Sequence, residues 1–300
     1  MPELPEVETV RRQLAPLVEG RRIQRIEILD ARWSRPLEPG ELADALRGRR
    51  VLELGRRGKY LIWRLDDEVH LVQHLRMTGA VLCEPRPEPA HVRVRIELGA
   101  RSAAATRAAA GGSTGPRRQR LVIVDPRRFG TGELVLGAAE LERFFAGRLG
   151  VEPLEARFTA EHLRVLARGR SAPIKAFLLD QRRIAGVGNI YADEALHRAG
   201  IHPLRPAGAL TRSQHERLRD AVVAALCEGI DARGATIDDF RHVDGFRGSF
   251  QDRFRVHRRA GEACATCGTP IVKMVVGGRG TYVCETCQPR PRGARRGASR

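Results

Sequence analysis

Residues 264–287, CATCGTPIVKMVVGGRGTYVCETC, contain two Cys-x-x-Cys pairs separated by sixteen residues. Two tight turns at this spacing can bring four thiolates to one tetrahedral ion, so the segment predicts a zinc site formed by Cys264, Cys267, Cys284 and Cys287. Between the pairs, apolar stretches flank GGRG (277–280), a pattern typical of a β-hairpin. Because four thiolates fill the coordination shell, we expect one structural zinc with no open position for a catalytic water.

The two other cysteines, Cys83 and Cys227, stand alone among apolar residues. Isolated cysteines in such surroundings behave as small hydrophobic residues, so both are predicted to be buried thiols without a chemical role.

The charge of the chain predicts a polyanionic partner. Lys and Arg number 53 against 36 Asp and Glu, which gives a net charge of +17. A charge of this size attracts nucleic acid and gains from counterion release. The sequence lacks an apolar run of about 18 residues, a secretory leader pattern and an amphipathic helix suited to anionic lipid. We therefore expect a cytoplasmic protein with nucleic acid as its leading partner and no membrane partner.

The first 135 or so residues are predicted to form a β-rich region behind one helix. Pro5 suits the first turn of that helix, and the apolar residues at 7, 10, 14 and 17 follow helical spacing. In HVRVRIEL (91–98), apolar and polar residues alternate as in a half-buried strand. Five further segments have strand-like composition, namely RIQRIEIL, RVLEL, KYLIWRL, VHLVQHL and RLVIVD.

From about residue 140 the pattern becomes helical. Ser171 is predicted to cap a helix that runs to Leu179, and Thr211 with Gln214 forms a capping-box signature ahead of another helix. Within GVGNIYADEALHRAGIHP (186–203), Asn189 is predicted to cap a helix that ends at Gly200. The free N–H groups at that helix start could bind an anion, or the segment could be an ordinary helix connection. Residues 186–203 taken alone do not decide between these two interpretations.

Two segments have compositions that disfavour a packed structure. Residues 101–118 are small, basic and of low complexity, and they predict a disordered insertion that could brush DNA. Residues 291–300 form a basic tail.

Six motifs in sequence order resemble the formamidopyrimidine-DNA glycosylases. They are PELPEVE (2–8), GKY (58–60), HLRMTG (74–79), DPRRFG (125–130), GVGNIYADEAL (186–196) and the four-cysteine segment. The resemblance implies an α+β fold with a catalytic β-sandwich-type domain over 1–138, which includes the N-terminal helix. It further implies a helix-two-turn-helix DNA-binding domain over 139–255 and a zinc-finger β-hairpin over 256–290. We expect a monomer that acts on damaged double-stranded DNA.

The resemblance also implies a bifunctional activity, namely excision of oxidised purines such as 8-oxoguanine and formamidopyrimidines, followed by β,δ-elimination at the abasic site. Removal of Met1 would expose Pro2 as a secondary amine that attacks the sugar C1′ and forms an iminium. Glu3 matches the proton donor for opening the sugar ring, and Lys59 matches a lysine of the first elimination. Arg259 matches the zinc-finger arginine that grips a phosphate and serves the second elimination. Without the resemblance, Lys59 would be interpreted as a solvated lysine.

The same resemblance assigns DNA contacts, because a base must leave the stack before it can react. Met77, Arg127 and Phe129 would fill the hole, with the guanidinium suited to the acceptors of an orphaned cytosine. By composition alone, Met77 and Phe129 would be core residues. His91 and Arg128 match positions that contact DNA, and Lys175 and Asn189 match positions that bind phosphates beside the lesion. Arg170, a neighbour of Lys175, would bind the same phosphates or be an ordinary solvated arginine. Glu6 and Glu194 match acidic positions that would support catalysis.

The chain departs from the family pattern at two positions. Arg76 stands in HLRMTG where many members have glycine. Phe250 stands where members often have tyrosine, within DGFRGSFQDRF (244–254), which aligns with the loop that closes over the flipped base, so a different substrate preference is expected. Two alternative functions remain. The sister endonuclease VIII group removes oxidised pyrimidines and typically begins PEGPE, so PELPE favours the purine-directed branch. A non-catalytic DNA clamp would have no need for Pro2 and Glu3.

Overall fold

The computed structural model describes residues 1–100, 118–236 and 243–291. These residues form two units, Met1–Ala146 with Arg233–Gly248, and Gly147–Ala232 with the chain from Ser249 onward. The predicted insertion lies outside the described residues except for Arg118, and the basic tail does so except for Pro291. Both remain predictions.

The described residues of the first unit form three helices and eight strands. The helices are α1 (Leu4–Val18), α2 (Pro39–Leu46) and α3 (Ala138–Phe145). The strands are β1 (Ile23–Ile28), β2 (Val51–Arg57), β3 (Tyr60–Leu65), β4 (Val69–His74), β5 (Ala80–Cys83), β6 (Val92–Leu98), β7 (Gln119–Val124) and β8 (Thr131–Leu136). They pair antiparallel in two four-stranded sheets, of order β1-β6-β7-β5 and β2-β3-β4-β8.

One hydrophobic core joins both sheets to α1. Val7, Val10 and Leu14 of α1 are fully buried in the same cluster as Trp63 of β3 and Ile96 of β6. Because residues from the facing sheets share this core, the unit is a β-sandwich, as predicted. The alternation predicted for HVRVRIEL is also confirmed, since its apolar positions 94, 96 and 98 are buried. The sequence prediction missed α2, β5 and β8.

Up to residue 291, where the description of the chain ends, the second unit forms four helices and one hairpin. The helices are α4 (Ala160–Ala167), α5 (Ile174–Leu179), α6 (Asn189–Ala199) and α7 (Arg212–Asp231), and short 3-10 turns occupy Ala207–Ala209 and Phe250–Arg253. Strands β9 (Val272–Val276) and β10 (Arg279–Val283) pair antiparallel, which confirms the predicted hairpin. Along the described parts of the chain, no helix has both the length and the apolar character needed to cross a bilayer.

The helix ends test the predicted caps. The Thr211 hydroxyl accepts the Gln214 N–H at 3.2 Å, which confirms that capping box. Gly200 ends α6 in the left-handed region with φ +65°, also as predicted. The cap predicted at Ser171 is wrong, because Pro173 precedes the first helical residue and the Ile174 N–H donates to a carbonyl at Arg205.

The two units differ from the predicted domain limits. Of residues 233–248, the described ones at 233–236 and 243–248 pack with the sandwich, whereas the prediction places them in the helical domain. Three contacts explain this assignment: Ala235 donates its N–H to Glu6, Val243 donates to Gln13, and the Val243 side chain lies in the sandwich core. A short segment packs with the core that buries its apolar side chains, even when that core is formed by residues far away in the sequence. The finer domain limits remain a prediction.

Candidate active site

Pro2 and Glu3 lie at the start of α1, and both are buried. The carboxylate of Glu6 holds this end of the chain in place. Its Oε2 accepts the Glu3 N–H at 2.8 Å, and its Oε1 accepts the Ala235 N–H at 2.7 Å. Hydrogen bonds to an ionised carboxylate are among the stronger ones in proteins. Glu6 therefore supports the backbone beside Pro2 through two fixed bonds.

Lys59 is buried, although it lies at the tip of a hairpin. Gly58 and Lys59 form the two-residue turn between β2 and β3, and Gly58 takes the positive φ of +57° that such turns use. Hairpin tips normally place lysines in solvent, yet Lys59 is only 4% exposed. The interpretation as a solvated lysine is therefore wrong. An amine removed from water in this way suits proton transfer.

His74 is a buried residue of this unit that the sequence analysis passed over. It ends β4, its Nδ1 accepts the Arg76 N–H at 2.8 Å, and its ring meets Tyr60 edge to face. Burial, with the positive charges of Arg76 and Lys59, lowers the pKa of His74 to about 3. The imidazole is therefore neutral at physiological pH. Its bond to Arg76, which has φ +56°, fixes the backbone just before Met77.

Asp125 organises the turn that carries the predicted hole-filling residues. Its Oδ2 accepts the N–H groups of Phe129 and Gly130 at 2.8 and 2.7 Å, and its Oδ1 accepts the Arg127 N–H and the Thr78 hydroxyl. Asp125 itself is 1% exposed. One carboxylate thus joins HLRMTG to DPRRFG. Asp125 is the first residue of DPRRFG, and no role was predicted for it from the sequence.

The side chains on this turn point outward rather than into the core. Phe129 is 51% exposed, and the Arg127 guanidinium lies 5.0 Å from the centre of its ring. Met77 is half-buried. The composition-based interpretation of Phe129 as a core residue is therefore wrong. An exposed aromatic ring beside a guanidinium is a typical base-stacking surface.

His91 and Arg128 occupy exposed positions with left-handed backbone, at φ +65° and +61°. The Arg128 guanidinium makes two hydrogen bonds to Asp30, at 2.5 and 2.9 Å, and these lower the pKa of Asp30. The Arg128 side chain remains 42% exposed. Asp30 therefore orients Arg128 and leaves part of its surface accessible.

In the second unit, Lys175 is fully buried. Its ammonium lies 2.7 Å from Asp193, which is also fully buried, and donates to the Gly280 carbonyl and the Thr281 hydroxyl. Two hydrogen bonds and one ion pair thus hold the Lys175 ammonium inside this unit. The phosphate contact predicted for Lys175 stays a prediction.

Asn189 and Glu194 both lie on α6. Asn189 is the first residue of the helix, not its cap as predicted, and its side-chain amide donates to the Gly280 carbonyl at 2.9 Å. Glu194 is fully buried, and its carboxylate accepts the N–H groups of three consecutive residues, Arg255, Val256 and His257. Glu194 therefore holds the segment that leads to the cysteine cluster.

Two more predicted positions lie in this unit. Arg170 is exposed, and its Nε donates to the Leu166 carbonyl. Phe250 is fully buried and stacks on Tyr191 with ring centres 5.1 Å apart, so its ring fills the core of this unit.

The guanidinium of Arg259 is held locally. It pairs with Glu262 at 2.8 Å and donates to the carbonyls of Phe254 and Arg255. Arg279, which received no role from the sequence, lies exposed beside the turn of the β9–β10 hairpin. Its position in GGRG, between the two cysteine pairs, was the sequence feature that could have identified Arg279 as a residue of the zinc-finger hairpin.

The four cysteines of the predicted zinc site come together. Their sulfur atoms all lie within 4.8 Å of one another, with 3.9 Å between Cys264 and Cys287 and 3.4 Å between Cys267 and Cys284. Zn–S bonds of about 2.3 Å in a tetrahedron place sulfurs about 3.8 Å apart, so the cluster fits zinc. A hydrogen bond from the Thr269 side chain lowers the pKa of Cys267 to about 6, whereas burial raises the pKa of Cys284 and Cys287.

The two isolated cysteines differ from the prediction. Cys83 is half-buried and Cys227 is exposed on α7. Apolar neighbours in sequence do not bury a residue that falls on the outer side of an amphipathic helix.

Three family models match the chain in the order of its parts. They are described as "Formamidopyrimidine-DNA glycosylase N-terminal domain" over 1–132, "Formamidopyrimidine-DNA glycosylase H2TH domain" over 149–241, and "Zinc finger found in FPG and IleRS" over 261–290. The formamidopyrimidine-DNA glycosylase of Symbiobacterium thermophilum is 43% identical over 295 residues, which cover 98% of this chain and 91% of that protein. The chain belongs to the formamidopyrimidine-DNA glycosylase family.

Solved structures of this family have the same fold. The MutM (Fpg) protein of Thermus thermophilus is 41% identical with a TM-score of 0.81, covering 97% of this chain and 100% of that one. The Lactococcus lactis Fpg in complex with abasic-site DNA is 33% identical with a TM-score of 0.83, covering 96% of this chain and 100% of that one. The predicted family, the fold class and the zinc-finger assignment are confirmed.

Proposed function

We propose that the protein is a base-excision repair enzyme, a DNA glycosylase and abasic-site lyase that removes oxidised purines from double-stranded DNA. The observation that carries the proposal is the arrangement of Pro2 and Glu3, which lie buried side by side at the start of α1 where Glu6 fixes the backbone. Solved relatives from Lactococcus lactis bind damaged DNA, including a duplex with Fapy-dG. The net charge of +17 suits the same partner.

The chemistry begins with removal of Met1, which turns the Pro2 nitrogen into a secondary amine. Its lone pair forms the N–C1′ bond while the bond from C1′ to the base breaks, and the base leaves with that electron pair. The Pro2 nitrogen then loses its hydrogen as a proton. Glu3 gives its proton to the ring oxygen, and the nitrogen lone pair forms the C1′ iminium as the bond from C1′ to the ring oxygen breaks. The iminium acidifies C2′–H, and loss of that proton expels the 3′ phosphate.

The first unit supplies the groups that serve these steps. Lys59 is an amine held away from bulk water, and we propose that it moves the proton in the first elimination. The turn organised by Asp125 presents Arg127 and Phe129, and with Met77 they would fill the space that the flipped base leaves. His91 and Arg128 are exposed and positioned to contact the backbone of DNA.

The second unit supplies phosphate contacts and supporting residues. Exposed Arg170 and half-buried Asn189 are proposed to bind phosphates. Lys175 and Glu194 support this surface from inside, since both are fully buried. The zinc, when bound, holds the hairpin and supplies no chemistry to the reaction. A location at the bacterial chromosome and a monomeric state follow as part of the same proposal.

Two variants test which arginine, Arg259 or Arg279, binds a phosphate of the DNA backbone. Because Arg259 is held by Glu262 while Arg279 is exposed on the hairpin, we expect Arg279→Ala to lower the slope of log Kd against log salt by about 0.9, the loss of one phosphate contact. Arg259→Ala should leave that slope within error. Titration of a lesion duplex at several salt concentrations gives both values. The opposite pattern would return the phosphate contact to Arg259.

A panel of duplexes with one lesion each tests the choice of substrate. The proposal predicts fast cutting of 8-oxoguanine and formamidopyrimidine opposite cytosine, and slow cutting of oxidised pyrimidines. Preference for pyrimidines would favour the endonuclease VIII-like alternative. Tight binding with no cutting of any duplex would support the alternative of a non-catalytic DNA clamp.

A further inference from the structure

The C-terminal end of α6 meets the cysteine cluster through one histidine. The Nε2 atom of His197 lies 3.4 Å from the sulfur of Cys264, and both residues are buried, at 6% and 2% exposure. In the part of the chain that the structure describes, the other ring nitrogen, Nδ1, has no hydrogen-bond partner. The contact with Cys264 is therefore the polar contact that holds this imidazole.

The direction of this hydrogen bond follows from the chemistry of a metal site. A zinc-bound cysteine is a thiolate, which can only accept a hydrogen bond. The hydrogen must then be on Nε2 of His197. Donors of this kind orient a metal ligand and stabilise its thiolate form against protonation, which strengthens metal retention.

The same helix also holds the hairpin at its other end. Asn189 donates to the Gly280 carbonyl at 2.9 Å, and Lys175, paired with Asp193 of α6, donates to the same carbonyl at 3.0 Å. His197 lies eight residues after Asn189, about 12 Å along the helix axis. Helix α6 thus contacts the zinc finger at both of its ends, with the hairpin at one and a metal ligand at the other.

We propose that His197 is a positioning residue for the zinc, which donates its Nε2 hydrogen to Cys264 and so couples the retention of the metal to α6. His197 does not touch DNA or the reacting atoms in this role. The loss of the donor should weaken the hold on the metal before it affects the fold, because the four thiolates remain in place.

The test compares three variants of the zinc-loaded full chain. His197→Phe keeps a ring and removes the donor, and we expect zinc release to a chromophoric chelator to become about 10-fold faster. His197→Gln retains an N–H donor and should recover most of the wild-type rate. The matched control is His215→Phe, because His215 is a buried histidine of α7 whose Nδ1 lies 3.0 Å from the Thr211 carbonyl.

A measurement on the unchanged sequence covers the case in which a variant fails to fold. With 113Cd in place of zinc, a through-bond NMR correlation should connect the His197 Hε2 proton to the metal, because the coupling passes through the hydrogen bond and the sulfur. Wild-type release rates for both His197 variants would overturn the proposal. The absence of the correlation in a well-folded cadmium protein would overturn it as well.

Discussion

Glu3→Gln is expected to lower the rate of base excision by about 10²–10⁴-fold, the range for loss of a general acid. The change keeps the size of the side chain and removes the proton that Glu3 gives to the opening sugar ring. Binding to a lesion duplex should change by less than about threefold, since it rests on Arg127, Asn189 and the other phosphate and base contacts. Single-turnover cutting and a binding titration on the same preparation measure the two effects.

The control for this variant is Glu38→Gln. Glu38 precedes α2 as Glu3 precedes α1, and its N–H bonds to the side chain of Glu41 in the same way that Glu3 bonds to Glu6. It should excise bases at the wild-type rate. A Glu3→Gln protein that cuts as fast as this control would remove Glu3 from the chemistry.

Removal of the zinc is expected to abolish specific DNA binding. A structural zinc contributes about 10–16 kcal/mol to the folding of small fingers, far more than the other contacts of β9 and β10 can replace. Cys267→Ala should act in the same way, with affinity for lesion DNA reduced by about 100-fold or more, or about 3 kcal/mol. Zinc content by atomic absorption and a DNA titration are measured on each protein.

The matched control is Cys227→Ala, which removes an exposed cysteine of α7 outside the cluster. It should retain one zinc and bind DNA as the wild type does. Metal-free protein that binds and cuts at the normal rate would contradict the structural role of the site.

Local rules predicted those parts of the fold in which neighbouring residues determine the geometry. The cysteine spacing, the Thr211 capping box and the alternation over 91–98 are of this kind, because turns, caps and pleats depend on residues a few positions apart. The Ser171 cap failed because a distant carbonyl, at Arg205, took the N–H of the helix start. The packing of residues 233–236 with the sandwich has no local signature either, since Glu6 holds Ala235 from far along the chain.

In the candidate site, too, the residues with a local sequence signature were predicted and those held by long-range contacts were not. Family motifs located Pro2, Glu3 and the Arg127–Phe129 turn, where residue type and sequence position carry the role. They did not show that Lys175 is buried against Asp193, because a long-range ion pair has no local signature. Arg279 was overlooked since one arginine among many basic residues is informative only when its exposure on the hairpin is known.

The central claim is that the Pro2 nitrogen attacks the sugar, and borohydride trapping tests it most directly. Reduction during the reaction with an 8-oxoguanine duplex should join protein and DNA covalently, and mass spectrometry of the digest should find the adduct on the N-terminal peptide, at Pro2, with Met1 absent. Removal of Met1 is visible in the intact mass of the same sample. An adduct on Lys59 or another lysine would contradict the assignment of Pro2 as the nucleophile. If the protein binds the duplex tightly and no adduct forms, the proposal that it is an enzyme would be contradicted.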